Sequence, residues 1–272
     1  MSNAPIGIFD SGFGGLTVMK EIKERLPFEN LIYFGDTARI PYGNKGKETI
    51  IRYSVESANF LKSQGIKALV IACHTVSAVA FSTLQEMLDI PVIGIVQAGA
   101  SAAIEMTKNF KIAVLGTKAT IQSGVYNQVF AIHPQVEIFP IACPLFVNLI
   151  EEGFTRHTLA EIAAEEYLHS LKFKTIDTVL LACTHFPLLK EIIQKQVGEQ
   201  VKLADPAQKC ARELECLLQE KDLKNSGPEK AYNQFIVSDD PEKFRLLGEL
   251  FLQYPVEKVM HLQDFMFLNE KA

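Results

Sequence analysis

Two ten-residue segments, IKALVIACHT at 66–75 and IDTVLLACTH at 176–185, align without a gap and set Cys73 over Cys183, 110 residues apart. In each, a short apolar run ends at a cysteine. Such runs read as strands buried on both faces of a parallel sheet. A further strand begins 18 residues after each cysteine, at Pro91 and at Val201. Around these segments, β-rich runs alternate with helical patterns. Strands are expected at Pro5–Phe9, Leu31–Phe34, Ala68–Ala72, Pro91–Val96, Lys111–Leu115, Thr178–Ala182 and Val201–Ala204, and helices at Leu16–Leu26 and Val76–Leu88. Strands alternating with helices require βαβ crossovers. The expected fold is therefore α/β, with two pseudo-symmetric doubly wound domains, mostly parallel sheets and a ligand cleft between them. Residues 1–97 plus 207–272 would form the first domain and 98–206 the second. The Gly/Ala-rich stretch Gln97–Ala103 and Asp205-Pro206 are the expected crossover points.

Composition narrows the function class. The net charge is −5, and no block of five like charges occurs. A nucleic-acid partner would call for a basic stripe. No apolar run reaches the roughly 18–20 residues of a membrane span, and the N-terminus has no signal-peptide pattern. Five cysteines with irregular spacing form neither a disulfide framework nor a CxxC pair. A cytoplasmic protein with reduced thiols is the expectation.

Ligands of open α/β sheets bind beyond the C-terminal strand ends, where Cys73 and Cys183 are expected. Each would precede a helix, whose N-terminus lowers a thiol pKa. Cys183 would lie in a loop outside the core, and Cys143-Pro144 at another strand end. His74 and Thr75 follow the first thiol; Thr184 and His185 follow the second. Asp10-Ser11 ends the first strand at the same sheet edge. His185, two residues from a thiol, can assist proton transfer, whereas His133, His157, His169 and His261 read as surface or core residues.

Other chemistries fit poorly. The turn Asp10–Gly15 carries Thr17 where the dinucleotide fingerprint needs glycine, and GNKGKE at 43–48 lacks P-loop spacing. Adjacent Cys-His and Cys-x-His are not zinc spacings, so no metal is expected. Two thiols on opposite sides of a cleft suit proton removal from one face of a carbon and return to the other. That inverts the centre without a cofactor. Every ten units of acidity mismatch between thiol and Cα is about 14 kcal/mol, so the substrate carboxylate needs a cage of donors. Ser11, Gly43, Thr75, Thr117 and Thr184 are suitable.

The segments IGIFDSGFGGLTV, YFGDTARIPYG, VIACHT and LLACTHFPLL resemble the signature segments of the cofactor-independent glutamate racemases, from Ile6 to about Asp205, with weaker similarity in FIVSDDPEKF. The resemblance implies interconversion of L- and D-glutamate, with D-glutamate feeding peptidoglycan synthesis. It implies that Cys73 works on the face of the D-isomer, assisted by Asp10, and Cys183 on that of the L-isomer, assisted by His185. Asp10, Ser11, Tyr42, Gly43, His74, Thr75, Thr184 and His185 would line the substrate. Glu152 matches an acid supporting the second base, with Glu151 as the competing register. A homodimer is compatible with the resemblance. An aspartate racemase, a glutamate-binding protein of weak activity and a thiol-redox enzyme are the alternatives.

Three departures carry expectations. His74 stands where the family usually has Asn, and a histidine titrating near pH 6.5 would make turnover weaker or more pH-sensitive. Phe186 stands for a common Tyr, removing a hydroxyl from the substrate's reach. Ser238-Asp239 stands where Thr-Gly is common, and the sequence offers no account of it.

Overall fold

The computed structural model describes residues 3–225, 227, 231–256 and 258–269; the remainder of the expected 207–272 segment lies outside them. In chain order the strands are β1 (Ile6–Asp10), β2 (Leu31–Gly35), β3 (Ala68–Ile71), β4 (Val92–Gly94), β5 (Lys111–Gly116), β6 (Glu137–Ala142), β7 (Thr178–Ala182), β8 (Lys202–Ala204), β9 (Asn233–Val237) and β10 (Val259–His261). The helices are α1 (Leu16–Arg25), α2 (Lys47–Ser63), α3 (His74–Met87), α4 (Ile95–Met106), α5 (Lys118–Gln122), α6 (Val125–Phe130), α7 (Pro144–Glu151), α8 (Thr158–Leu168), α9 (Lys190–Val197), α10 (Ala207–Glu220), α11 (Pro241–Leu252) and α12 (Leu262–Asn269).

Two sheets result, ordered β10-β9-β2-β1-β3-β4 and β6-β5-β7-β8. Every strand pairing among the described residues is parallel. The first four strands of each half repeat one order: β2-β1-β3-β4 corresponds to β6-β5-β7-β8. Cys73 thus follows β3 and Cys183 follows β7, the equivalent strand. The C-terminal segment extends the first sheet, because β9 pairs with β2 in register from Leu31↔Asn233 to Gly35↔Val237.

The central strands β1, β2 and β7 are buried along their whole length, as their continuous apolar runs require when helices cover both faces. α1 buries Leu16, Val18, Met19 and Ile22 and packs on α10 and α11. The chain crosses from the first sheet to the second through Gln97–Ala103, which is the body of α4, with Ala98, Gly99, Ala100 and Ala103 buried. Small side chains here allow close packing against β7 and α10, so the Gly/Ala content reflects a tight helix contact. One expectation needs correction. The expected strand Pro91–Val96 shrinks to three residues, because Ile95 already opens that helix.

Candidate active site

One cleft gathers the residues at the C-terminal strand ends of both halves. It is a narrow cleft, partly open to solvent. Cys73 and Cys183 both line it, with Ser11, Tyr42, Gly43, His74, Thr75, Thr117, Thr184 and His185. Residues picked out in the sequence from both halves therefore meet on the walls of a single cavity.

Cys73 is the N-cap residue of α3. Its thiol lies 3.3 Å from the Ser11 hydroxyl. Contrary to the expected helix-terminus effect, burial dominates and pushes this thiol up to about 12, with the nearby Asp10 carboxylate adding to the shift. An uncharged thiol is the form such a site favours. Cys183 also departs from expectation, being buried rather than in an open loop. After it the chain makes a single 3-10 turn, Phe186–Leu189, before α9 begins.

His185 is buried beside Cys183. Its Nε2 sits 2.9 Å from Glu151 Oε1. Burial works against an imidazolium, but the Cys183 sulfur and the Glu151 carboxylate outweigh it and push His185 up to about 10. Phe251 meets the imidazole edge-on at 5.5 Å. Gly14 is required here: a Cβ on it would fall 2.3 Å from Thr184 Oγ1 and 2.5 Å from His185 Nδ1.

The acid expected at Glu152 is corrected by this geometry. Glu151, in the last turn of α7, faces the cavity. Glu152 is the exposed C-cap residue, whose only ion-pair neighbour among the described residues is Lys243 at 3.9 Å. One residue along a helix turns the side chain by about 100°, so the two registers are exclusive. Asp10 ends β1 as expected and is fully buried beneath the cleft residues. Its Oδ2 accepts from Gly12 N at 2.9 Å, and Thr184 Oγ1 lies 3.5 Å from its Oδ1. Burial raises its carboxyl, opposed by the His185 charge. Ser11, not Asp10, is the group in hydrogen-bond range of the Cys73 sulfur.

Three threonine hydroxyls join the halves. Thr75 Oγ1 lies 2.9 Å from Thr117 Oγ1, which lies 2.9 Å from Thr120 Oγ1. Thr117 is the N-cap of α5 and accepts from Thr120 N at 3.2 Å. Sequence reasoning does not single out Thr120; the Thr-x-x-Thr spacing of an N-cap and its third helical residue is the available signal. A Cβ on Gly43 would strike Thr117 at 2.5 Å, so the same contact admits only glycine from the first half.

His74 is the unusual member of the lining. It is buried, and among the described residues neither ring nitrogen has a hydrogen-bond partner. Burial lowers it to about 3, so it stays neutral and does not titrate near pH 6.5. Phe186 does not reach the cleft; it is fully buried against Phe146, with ring centroids 5.2 Å apart. No group of three or more His, Cys, Asp or Glu able to hold a metal occurs among the described residues, and none of their helices is long and apolar enough to cross a membrane.

Residues 6–214 match the family model described as Asp/Glu/Hydantoin racemase. A glutamate racemase from Geobacter metallireducens is 48% identical over 248 residues, covering 91% of this chain and 92% of its own. The crystal structure of a glutamate racemase from Francisella tularensis in complex with D-glutamate superposes with a TM-score of 0.90 at 42% identity, over 96% of this chain and 98% of that one. A glutamate racemase from Bacillus anthracis superposes with a TM-score of 0.92 at 36% identity, again over 96% and 98%.

Proposed function

This chain belongs to the Asp/Glu/Hydantoin racemase family, and from that premise we propose that it interconverts L- and D-glutamate by proton transfer at Cα between two cysteines. One observation carries the reading: the thiols that end the two equivalent strands line one cavity with unlike partners, Ser11 at Cys73 and His185 with Glu151 at Cys183. A binding protein has no need of either thiol. The resemblance to glutamate racemases over most of the chain supports glutamate as the substrate.

The two thiols have unlike surroundings: burial holds Cys73 protonated, and Cys183 stands beside the His185–Glu151 pair. With L-glutamate bound, Cys183 takes the α-proton while its charge is balanced by the imidazolium. Cys73 then delivers its own proton to the opposite face, giving D-glutamate. The reverse reaction exchanges the roles. Ser11 steadies the Cys73 sulfur in either charge state, because a hydroxyl both donates and accepts. Asp10 acts through electrostatics from behind the cleft.

The carbanionic transition state is stabilised by donors fixed before the reaction, which need no reorganisation at that moment. The Gly43 N–H and one hydroxyl of the Thr75–Thr117 pair, whose other proton holds the two together, supply them. Neutral His74 adds one donor and one acceptor, which a substrate carboxylate and ammonium can satisfy. We extend the reading to the organisation of the chain: 1–97 with 207–272 and 98–206 are proposed as two lobes that close on the amino acid. A cytoplasmic role in supplying D-glutamate for peptidoglycan accords with the same reading.

The test is circular dichroism of pure L-glutamate, pure D-glutamate and the aspartate enantiomers, each with the purified protein and no added cofactor. Decay of the signal from both glutamate enantiomers, with aspartate turned over far more slowly, is expected. Decay with aspartate alone would move the substrate one methylene shorter. Silence with all four would leave a binding protein.

A further inference from the structure

The Ser238-Asp239 turn, for which the sequence offers no account, grips the active-site loop. We propose that Asp36, Arg39 and Ser238 are positioning residues that latch this turn to the Tyr42–Gly43 wall of the cleft and so set glutamate affinity. The proposal rests on the racemase reading of the site.

Asp36 follows β2 and is fully buried. Its Oδ1 accepts from the Ser238 hydroxyl at 2.8 Å. Its Oδ2 accepts from Arg39 Nε at 2.6 Å and from the Tyr42 hydroxyl. Three side-chain donors thus converge on one carboxylate. Ser238 Oγ accepts in turn from Ala38 N at 2.9 Å. Beside it, Thr37 Oγ1 donates to Asp239 O at 2.5 Å and accepts from Asp239 N at 2.9 Å. The segment 37–39 is therefore pinned twice to the turn after β9. Arg39 extends the network outward to Glu56 and stacks over the Tyr53 ring, 4.2 Å from its centroid.

This arrangement fixes how Tyr42 can act. A phenol has one proton, and Tyr42 gives it to Asp36. Its side chain lines the cavity but is committed to the latch, so this segment offers a ligand Gly43 and its backbone rather than the Tyr42 O–H. Gly43 also meets Thr117 of the second half, so slack in 37–44 would loosen the joint between the halves as well as the pocket wall. Among the described residues no hydrogen bond joins either thiol to Asp36, Arg39 or Ser238, so the latch is expected to act on affinity rather than on proton transfer.

Ser238→Ala removes one donor to Asp36 and the acceptor for Ala38 N. Hydrogen–deuterium exchange and steady-state kinetics are read on the full chain, beside Ser238→Thr, which restores a hydroxyl. Faster exchange confined to peptides spanning 37–45, with β2 and β9 still protected, is the expected result. The KM for glutamate should rise about three- to tenfold, the span of one ordinary hydrogen bond, with kcat nearly unchanged, and Ser238→Thr should restore both. Unchanged exchange and KM in Ser238→Ala would overturn the latch. So would a fall in kcat that tracks a lower Tm and is not rescued by Ser238→Thr. If the parent protein leaves glutamate unchanged, the racemase reading fails, and the exchange of 37–45 alone decides whether the latch exists.

Discussion

His74 is the residue at which burial most changes the chemistry expected from sequence. An unfolded histidine takes up a proton near pH 6.5, while the buried one refuses it until about 3. The unfolded state thus binds more protons across that window, and stability falls as pH falls through it, by up to about 1.4 kcal/mol per pH unit. His74→Asn removes this dependence. Chemical denaturation should find wild type losing about 2 kcal/mol more than the variant between about pH 6.5 and pH 5. Parallel losses would mean that His74 is hydrated and titrates normally. Gly14 carries a second prediction at this scale. A Cβ there would push on both Thr184 and His185, and small displacements of reacting groups cost on the order of 100-fold. Gly14→Ala should lower kcat by about that factor, and a variant with wild-type kcat would contradict the contact. Sequence names the residues that line the cleft because they cluster around two cysteines. It does not report their burial, which sets the protonation of Cys73 and His74 against the expectation from a helix N-terminus and a free imidazole.

Helix register decides which of two neighbouring acids faces the cleft and meets His185. Pro144 starts α7, and counting from it sets Glu151 inward and Glu152 outward. Glu151→Gln should lower kcat about 10-fold or more, the range for a hydrogen bond to a charged group; Glu152→Gln should leave it near wild type. The reverse order would contradict the register. The same pair governs alkaline stability. His185 is raised toward 10 when folded, so its contribution is complete below its unfolded value near 6.5 and is lost as pH rises through the folded one. Thermal melts between about pH 7 and pH 10 should therefore fall more steeply for wild type than for Glu151→Gln. The elements that are hard to read from sequence have physical explanations. β6 has Pro140 in its interior, which argues against a strand. It is tolerated because β6 lies at the sheet edge, where one side of the strand needs no donor. α4 is hard to read as a helix in sequence because Gly and Ala are poor markers of a buried face, yet they suit a helix pressed against a strand and another helix. The repeated apolar runs of β3 and β7 are legible because burial on both faces leaves no room for polar residues.

At the scale of the molecule, one strand order used twice brings two thiols to one cleft, and the C-terminal strands complete the first sheet rather than building a third unit. The repeat IKALVIACHT/IDTVLLACTH carries this duplication in the sequence. The contacts that join the halves, such as the Thr75–Thr117–Thr120 cluster, depend on side chains far apart along the chain and leave no local pattern. The central claim is that each half supplies one base to one face of glutamate. It is tested most directly by NMR of Cα–H loss in deuterated water with Cys73→Ser and Cys183→Ser. Each variant should fail to racemise. Cys73→Ser should still exchange the α-proton of L-glutamate through Cys183, and Cys183→Ser that of D-glutamate through Cys73. Exchange of both enantiomers by either variant, or racemisation by one at the wild-type rate, would contradict the account.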